Sequence, residues 1–244
     1  MKRAERHHLK QNELQTFAHD VREQFEGRQR EALLGLAAAG AVVILAIAFF
    51  AWREHVSTQA ATLLAGAVAV KDARIGPPGT AEQGLRFNNE RERAQAALTK
   101  FKVAADAYPS TDAGLYARLE EAATYMTLGN PAQAAAAYQQ VVDKAGNSIY
   151  GQSARLGLAA AQAAQGQYDQ AINAFKELAQ RKDGPLPVDG ILMQLGRTYL
   201  DAGKRADAQQ TFNRLVEEFP ESPFTGDARR ELETLKRIPA EKTT

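Results

Sequence analysis

The 244-residue chain has no cysteine, one tryptophan, three methionines and four histidines. Without cysteine there can be no disulfide, no thiolate metal site and no cysteine nucleophile. Three of the four histidines, His7, His8 and His19, lie in the first 19 residues, and the fourth is His55. On a helix His8 and His19 stand about three turns apart, too far to share one ion. The chain has no glycine-rich phosphate loop and no GxSxG. Glu120-Glu121 and Glu217-Glu218 are adjacent pairs, and neighbouring helical side chains diverge by about 100°. They therefore read as solvated faces and not as a carboxylate dyad. The sequence predicts no enzyme, no cofactor, no metal and no small-molecule substrate. Excess charge is absent too. Residues 53–244 hold 23 basic and 23 acidic side chains, so the basic stripe of a nucleic-acid binder is missing.

What the chain does have is a period. Phe101, Tyr138, Phe175 and Phe212 are each 37 residues apart. The same interval separates Ala97, Ala134, Ala171 and Ala208, and recurs at Pro109, Gly146, Asp183 and Pro220. Three independent series with one period indicate a repeated supersecondary unit. Repeat arrays mainly present surfaces.

Within the last unit, Leu195-Gly196 precedes Tyr199 and Gly203; Ala208, Phe212 and Pro220 follow. The third unit carries Leu158-Ala159, Gly166, Tyr168, Ala171 and Phe175. The second carries Tyr125, Gly129, Ala134 and Tyr138. This pattern resembles the tetratricopeptide repeat, two helices per unit of about 34 residues. Small residues such as Gly196 and Ala208 let the helices approach closely, and Phe212 fills the space between neighbouring hairpins. Asn130-Pro131 reads as an N-cap with proline in the first helical position. The three extra residues per unit are assigned to the second helix or to the links GNSIYGQ and RKDGPLPVD.

The first unit departs from the pattern. Its second helix runs from about Glu90 to Tyr108 and its first from roughly Val56 to Arg74. Between them IGPPGTAEQGLRFNN reads as a long mobile loop, either a tolerated insertion or a partner-binding segment. After Pro220, Ser222-Pro223 is expected to cap one more helix, to about Lys236, that covers the end of the array. The tail IPAEKTT is expected to fray.

Ala32 to Trp52 are 21 consecutive positions without a charged side chain. At about 1.5 Å per residue this helix matches a bilayer core of about 30 Å. Trp52 stands at one edge, where an amphipathic ring favours the interface. A buried core helix is the plain alternative, but no other segment is apolar enough to surround it. A cleaved signal peptide is another, with Ala46-Ile47-Ala48 as a cleavage pattern, yet 31 residues precede the run and exceed a normal n-region. An uncleaved signal-anchor is favoured. Seven basic residues precede the span, and Arg53 and Lys71 follow it within about 20 residues. The positive-inside tendency puts the N-terminus in the cytoplasm. The expected organisation is a cytoplasmic segment 1–31, a transmembrane anchor 32–52 and an exported repeat domain 53–244. The expected fold is all-α, a tetratricopeptide α-solenoid of about four helical hairpins plus a capping helix. In the N-terminal segment Leu14, Phe17, Val21 and Phe25 share one helical face, suited to the membrane surface or to a docking partner.

The concave side of such an array is the expected working surface, lined by the first helix of each hairpin. By repeat phase it comprises Tyr116, Leu119, Ala123 and Met126, then Ser153, Leu156 and Ala160, then Met193, Arg197 and Leu200. The partner-binding residues predicted from it are Tyr116, Leu119, Met126, Leu156, Met193 and Arg197. Tetratricopeptide domains that clamp a C-terminal carboxylate place Lys and Asn at positions occupied here by Leu119/Ala123, Leu156/Ala160 and Met193/Arg197. An apolar, Met-containing groove instead suits an extended or helical apolar segment. Some of these side chains serve equally well as core.

Taken as a whole, the layout resembles the YfgM-like ancillary subunits of the bacterial Sec translocon. That resemblance implies a single-pass inner-membrane protein with its repeats in the periplasm. It also implies association with the SecYEG channel and contact with emerging polypeptides or periplasmic chaperones. A second resemblance is local. EEFPESPFTGDARREL is similar to repeats of the Tol–Pal cell-division coordinator and of outer-membrane assembly lipoproteins, which implies a cell-envelope scaffold. The absent cysteine removes a lipoprotein anchor from that reading.

Overall fold

In a computed structural model, residues 29–76, 84–181 and 184–237 are described. The amphipathic N-terminal segment, His7, His8, His19 and the tail IPAEKTT lie outside them.

The described chain is all-α apart from one two-residue pairing. Helix α1 spans Gln29–Lys71. The chain divides into two compact units between His55 and Val56, a boundary that falls within α1. Up to His55 the helix is long and apolar enough to cross a membrane, and Leu33 through Trp52 present their large side chains outward.

The second unit begins with the end of α1 and continues through α2 (Glu90–Ala107), α3 (Asp112–Thr127), α4 (Pro131–Ala145) and α5 (Ile149–Ala164). It closes with α6 (Tyr168–Gln180), α7 (Val188–Asp201), α8 (Arg205–Glu218) and α9 (Thr225–Arg237). These form four hairpins and a terminal helix: α1–α2, α3–α4, α5–α6, α7–α8, then α9.

The 37-residue ruler reappears as geometry. Gly129, Gly166 and Gly203, one interval apart, have φ of 77°, 76° and 73° and close the three tight helix–helix turns. Each turn is held by the same bond, from Asn130 N to Tyr125 O (2.9 Å), Gln167 N to Gln162 O (2.9 Å) and Lys204 N to Tyr199 O (2.8 Å). This is the six-to-one closure of a helix C-terminus around a left-handed residue. Tyr138 is buried, and Phe101, Phe175 and Phe212 are fully buried. Tyr138 lies on Gly157 of the next hairpin, where an added Cβ would come within 2.3 Å of the ring. Phe212 lies on Gly196 of its own hairpin, at 2.4 Å by the same measure. The aromatic column therefore touches helices on both sides.

Two local expectations are corrected. Asn130 precedes α4, with Pro131 in its first turn, but its side chain makes no capping bond. The terminal helix starts at Thr225, and Ser222 does not cap it. The Ser222 hydroxyl donates to Asp189 Oδ2 at 2.6 Å and accepts from Phe224 N at 3.1 Å, tying the turn back to α7. The middle of the long first loop, 77–83, lies outside the described residues, while its flanks pair. Arg74–Ile75 (β1) pairs in parallel with Arg86–Phe87 (β2), and Gly76 N donates to Phe87 O at 3.0 Å. Phe87 packs against the first-hairpin core of Ala67, Val70, Ala97 and Phe101.

The core is segmented. One cluster belongs to the first hairpin and Ala117, a second joins α3, α4 and α5, and a third fills α5 through α9. Clusters that stay near their own repeat are what a stack of nearest-neighbour units produces.

Candidate protein-interaction surface

Helix α3 packs on α5, and α5 on α7, whereas the second helices of successive hairpins lack comparable contact. First helices that crowd together while second helices splay apart put the first helices on the inner side of the curve. That is where the sequence placed its candidates.

The six predicted residues do not share one environment. Tyr116 is exposed on α3. A hydrogen bond to Glu120, with partial burial behind it, holds the Tyr116 hydroxyl pKa above its ordinary value. Leu119 and Met126 are half-buried against the second cluster, and Leu156 is half-buried against the third. Met193 is a correction. It is 2% exposed and belongs to the α5–α9 core, so it displays nothing to a partner. Arg197 is exposed and pairs with Asp227 of α9 at 3.5 Å. Asp227 is also bonded by Arg230. The inner face is thus aromatic and aliphatic at α3 and α5 and ionic at α7 and α9. The apolar, Met-containing groove expected from sequence, with Arg197 as its charge, is thus a graded surface from which Met193 is withdrawn. Asp227 and Arg230 were missed. They occupy the ruler positions of Tyr116 and Leu119, three intervals on, and were found only when the terminal helix folded back as another first-helix equivalent.

Glu120 and Glu121 are a second correction, since neither is a solvated face. Lys71 Nζ sits 2.6 Å from Glu120 Oε2, tying the end of α1 to α3. Glu121 is 4% exposed. Arg118 Nη1 donates to its Oε2 at 2.5 Å, while Nη2 reaches Asp106 of α2. Burial pushes the Glu121 carboxyl pKa up against the opposing pull of Arg118. The two glutamates have separate partners and make no dyad. The signal was present in the ruler: Glu121 occupies the place of Leu158 and Leu195, with an arginine one turn before it.

This arrangement of stacked helical hairpins, closed at regular intervals by left-handed glycines and presenting an inner face of first helices, defines a protein-interaction scaffold of repeat type. The tetratricopeptide repeat-like domain model matches residues 29–226, and the chain belongs to that family. The match starts within α1 and so takes in the apolar stretch with the repeats. No curated protein matches the chain by sequence. Among solved structures, the chain is similar to the nearly identical TPR-like repeats of a Podosopora anserina protein assigned as a kinesin light chain. For a single-substitution variant of that protein the TM-score is 0.52 at 19% identity, over 59% of this chain and 78% of that one. The unsubstituted protein gives 0.52 at 18%, with the same coverage. At these identities the likeness concerns the fold.

Proposed function

We propose that this chain is a membrane-anchored ancillary subunit of a bacterial Sec translocon, whose periplasmic repeats contact emerging polypeptides or chaperones. The observation that carries the reading is that one family model takes in both the apolar run and the repeats. The run Leu33–Trp52 is exposed along its length and precedes the repeats in the chain. A repeat domain built onto a span is held at the membrane surface, where a translocon partner would be met. The resemblance to YfgM-like subunits supplies the partner class. Seven basic residues ahead of the span support a cytoplasmic N-terminus.

On this reading the inner face formed by Tyr116, Leu119, Met126 and Leu156, with Arg197 at its ionic end, receives protein segments. Chemical crosslinking from membranes followed by capture of the chain tests it. Recovery of translocon or periplasmic chaperone subunits supports the assignment. Recovery of Tol–Pal or outer-membrane assembly components would replace it with an envelope-scaffold role. Arg197→Glu should alter capture more than stability, because the side chain is exposed. Leu156→Glu should weaken capture too, with circular dichroism needed to show that the fold survives the new charge. A reporter active only after export, fused after Thr244, should be active; activity of a cytoplasmic reporter alone would reverse the topology.

A further inference from the structure

The repeat supplies an internal control for the seam between the two helices of each hairpin. On the side of the first helices that faces their hairpin partners, the ruler aligns Arg118, Glu121 and Tyr125 of α3 with Arg155, Leu158 and Gln162 of α5. Their counterparts on α7 are Leu192, Leu195 and Tyr199. The α3 positions are ionic: Arg118 is bonded to Glu121 of its own helix and to Asp106 of α2. The α7 seam is filled by hydrocarbon, with Leu192 1%, Leu195 5% and Tyr199 8% exposed. The α5 seam is open. A cleft of about 350 Å³ runs between α5 and α6, floored by Leu158, Ala159, Ala174 and Leu178 and rimmed by Gln162 and Gln170.

Two substitutions open it. Leu158 stands where the second unit has Glu121 to bind an arginine, and Arg155, at the edge of the cleft, donates instead to Asn147 Oδ1 at 3.1 Å. Gln162 stands where the other two units have a tyrosine that packs against the core. The cleft also falls at the division of the core, since Leu158 packs with the second cluster and Ala159 and Leu178 belong to the third.

We propose that this cleft is a docking site for an aromatic side chain, a tyrosine above all, presented by a partner protein segment. The chain shows what its own scaffold places at this position, a phenol ring in both neighbouring units. The charge at the mouth agrees with a neutral occupant. One arginine and one glutamate flank it, Arg155 and Glu177, and Glu177 is already paired with Arg181 at 3.1 Å. The volume sits at the lower end of the range for sites that take small molecules, about 300–1,000 Å³. The carboxamides of Gln162 and Gln170 make no hydrogen bond to another described residue and stand ready for a phenol hydroxyl or a peptide group. The cleft lies on a different side of α5 from Leu156. The proposal therefore adds a second contact surface while resting on the interaction-scaffold reading.

The test uses the full-length chain in detergent, with labelled leucine and alanine methyl groups. N-acetyl-tyrosinamide is the probe and N-acetyl-alaninamide the control. Saturable shifts of the Leu158, Ala174 and Leu178 methyls with the tyrosine probe alone are expected, with Leu115 and Ala137 of the second hairpin unmoved. Gln162→Tyr should fill the cleft, abolish the shifts and raise the melting temperature. Ala174→Leu closes the same space from α6 and serves if the first variant folds poorly. Absence of a saturable shift, an equal response to the alanine control, or shifts unchanged in the filled variants would each overturn the proposal. Translocon subunits take no part in this measurement, so its failure and that of the Sec assignment are read separately.

Discussion

The second and fourth hairpins are built on one repeat and solve the same packing problem in opposite ways. In α7–α8 the seam is hydrocarbon: Leu192, Leu195 and Leu215 around Gly196 and Phe212. In α3–α4 the matching positions hold Arg118, Glu121, Val141, Ala122 and Tyr138, and Arg118 bridges Glu121 to Asp106 of α2 in the preceding hairpin. A buried ion pair gains its Coulomb energy against a desolvation cost, so its net worth is small while the loss of one member is costly. The comparison shows that the tetratricopeptide frame tolerates different chemistry at the same repeat positions. The third hairpin, which adopts neither solution, carries the cleft.

The comparison can be broken from either side. Phe175→Ala removes a fully buried ring from the aromatic column, and such truncations cost about 3–5 kcal/mol. Thermal melting of the fragment from Val56 onward should show a fall of many degrees. An unchanged midpoint would mean that the column carries no load. In the ionic seam, Arg118→Ala leaves Glu121 buried without its partner, and a loss of about 3–5 kcal/mol is expected by urea titration. Arg118→Leu combined with Glu121→Leu copies the fourth hairpin and should regain most of that loss. A double variant no better than the single one would show that the bridge is required for itself.

The turns sharpen the comparison by being alike. Gly129→Ala and Gly203→Ala each force a side chain into the left-handed region, at about 1–2 kcal/mol. Because the two φ values nearly coincide, the two losses should agree, whatever the chemistry of the seam.

The smallest expected effect is on pH. The folded-state pKa of Glu121 is raised by burial. The native state therefore holds this proton more tightly than the unfolded chain does. Its contribution is fully present below the ordinary glutamate pKa of about 4.3 and is lost as pH rises through the higher folded value. Glu121→Gln should remove this fall, so the stability of wild type minus variant should decline with rising pH across that window. A difference that stays flat or rises would remove the burial account.

Periodicity was legible because it is a property of the backbone path. A hairpin that recurs every 37 residues needs a small residue where its helices cross, a glycine where they turn and a ring where hairpins stack. Those demands are local in sequence and repeat with it. The apolar run Ala32–Trp52 was legible for the same kind of reason, since length and hydropathy belong to one segment. Burial at individual ruler positions was not legible. Met193 and Leu156 hold the same place in their units, yet one is core and the other half-buried, because each depends on what the neighbouring hairpin brings against it. Glu121 next to Glu120 reads as surface charge until Asp106 and Arg118 are folded over it. The cleft arises from the coincidence of Leu158 and Gln162 on one face, with Arg155 held at its edge by Asn147. Sequence by itself determined the unit, its number and the apolar segment ahead of it. Tertiary structure alone decided which seams are closed, because filling a seam takes side chains from helices that the sequence keeps apart.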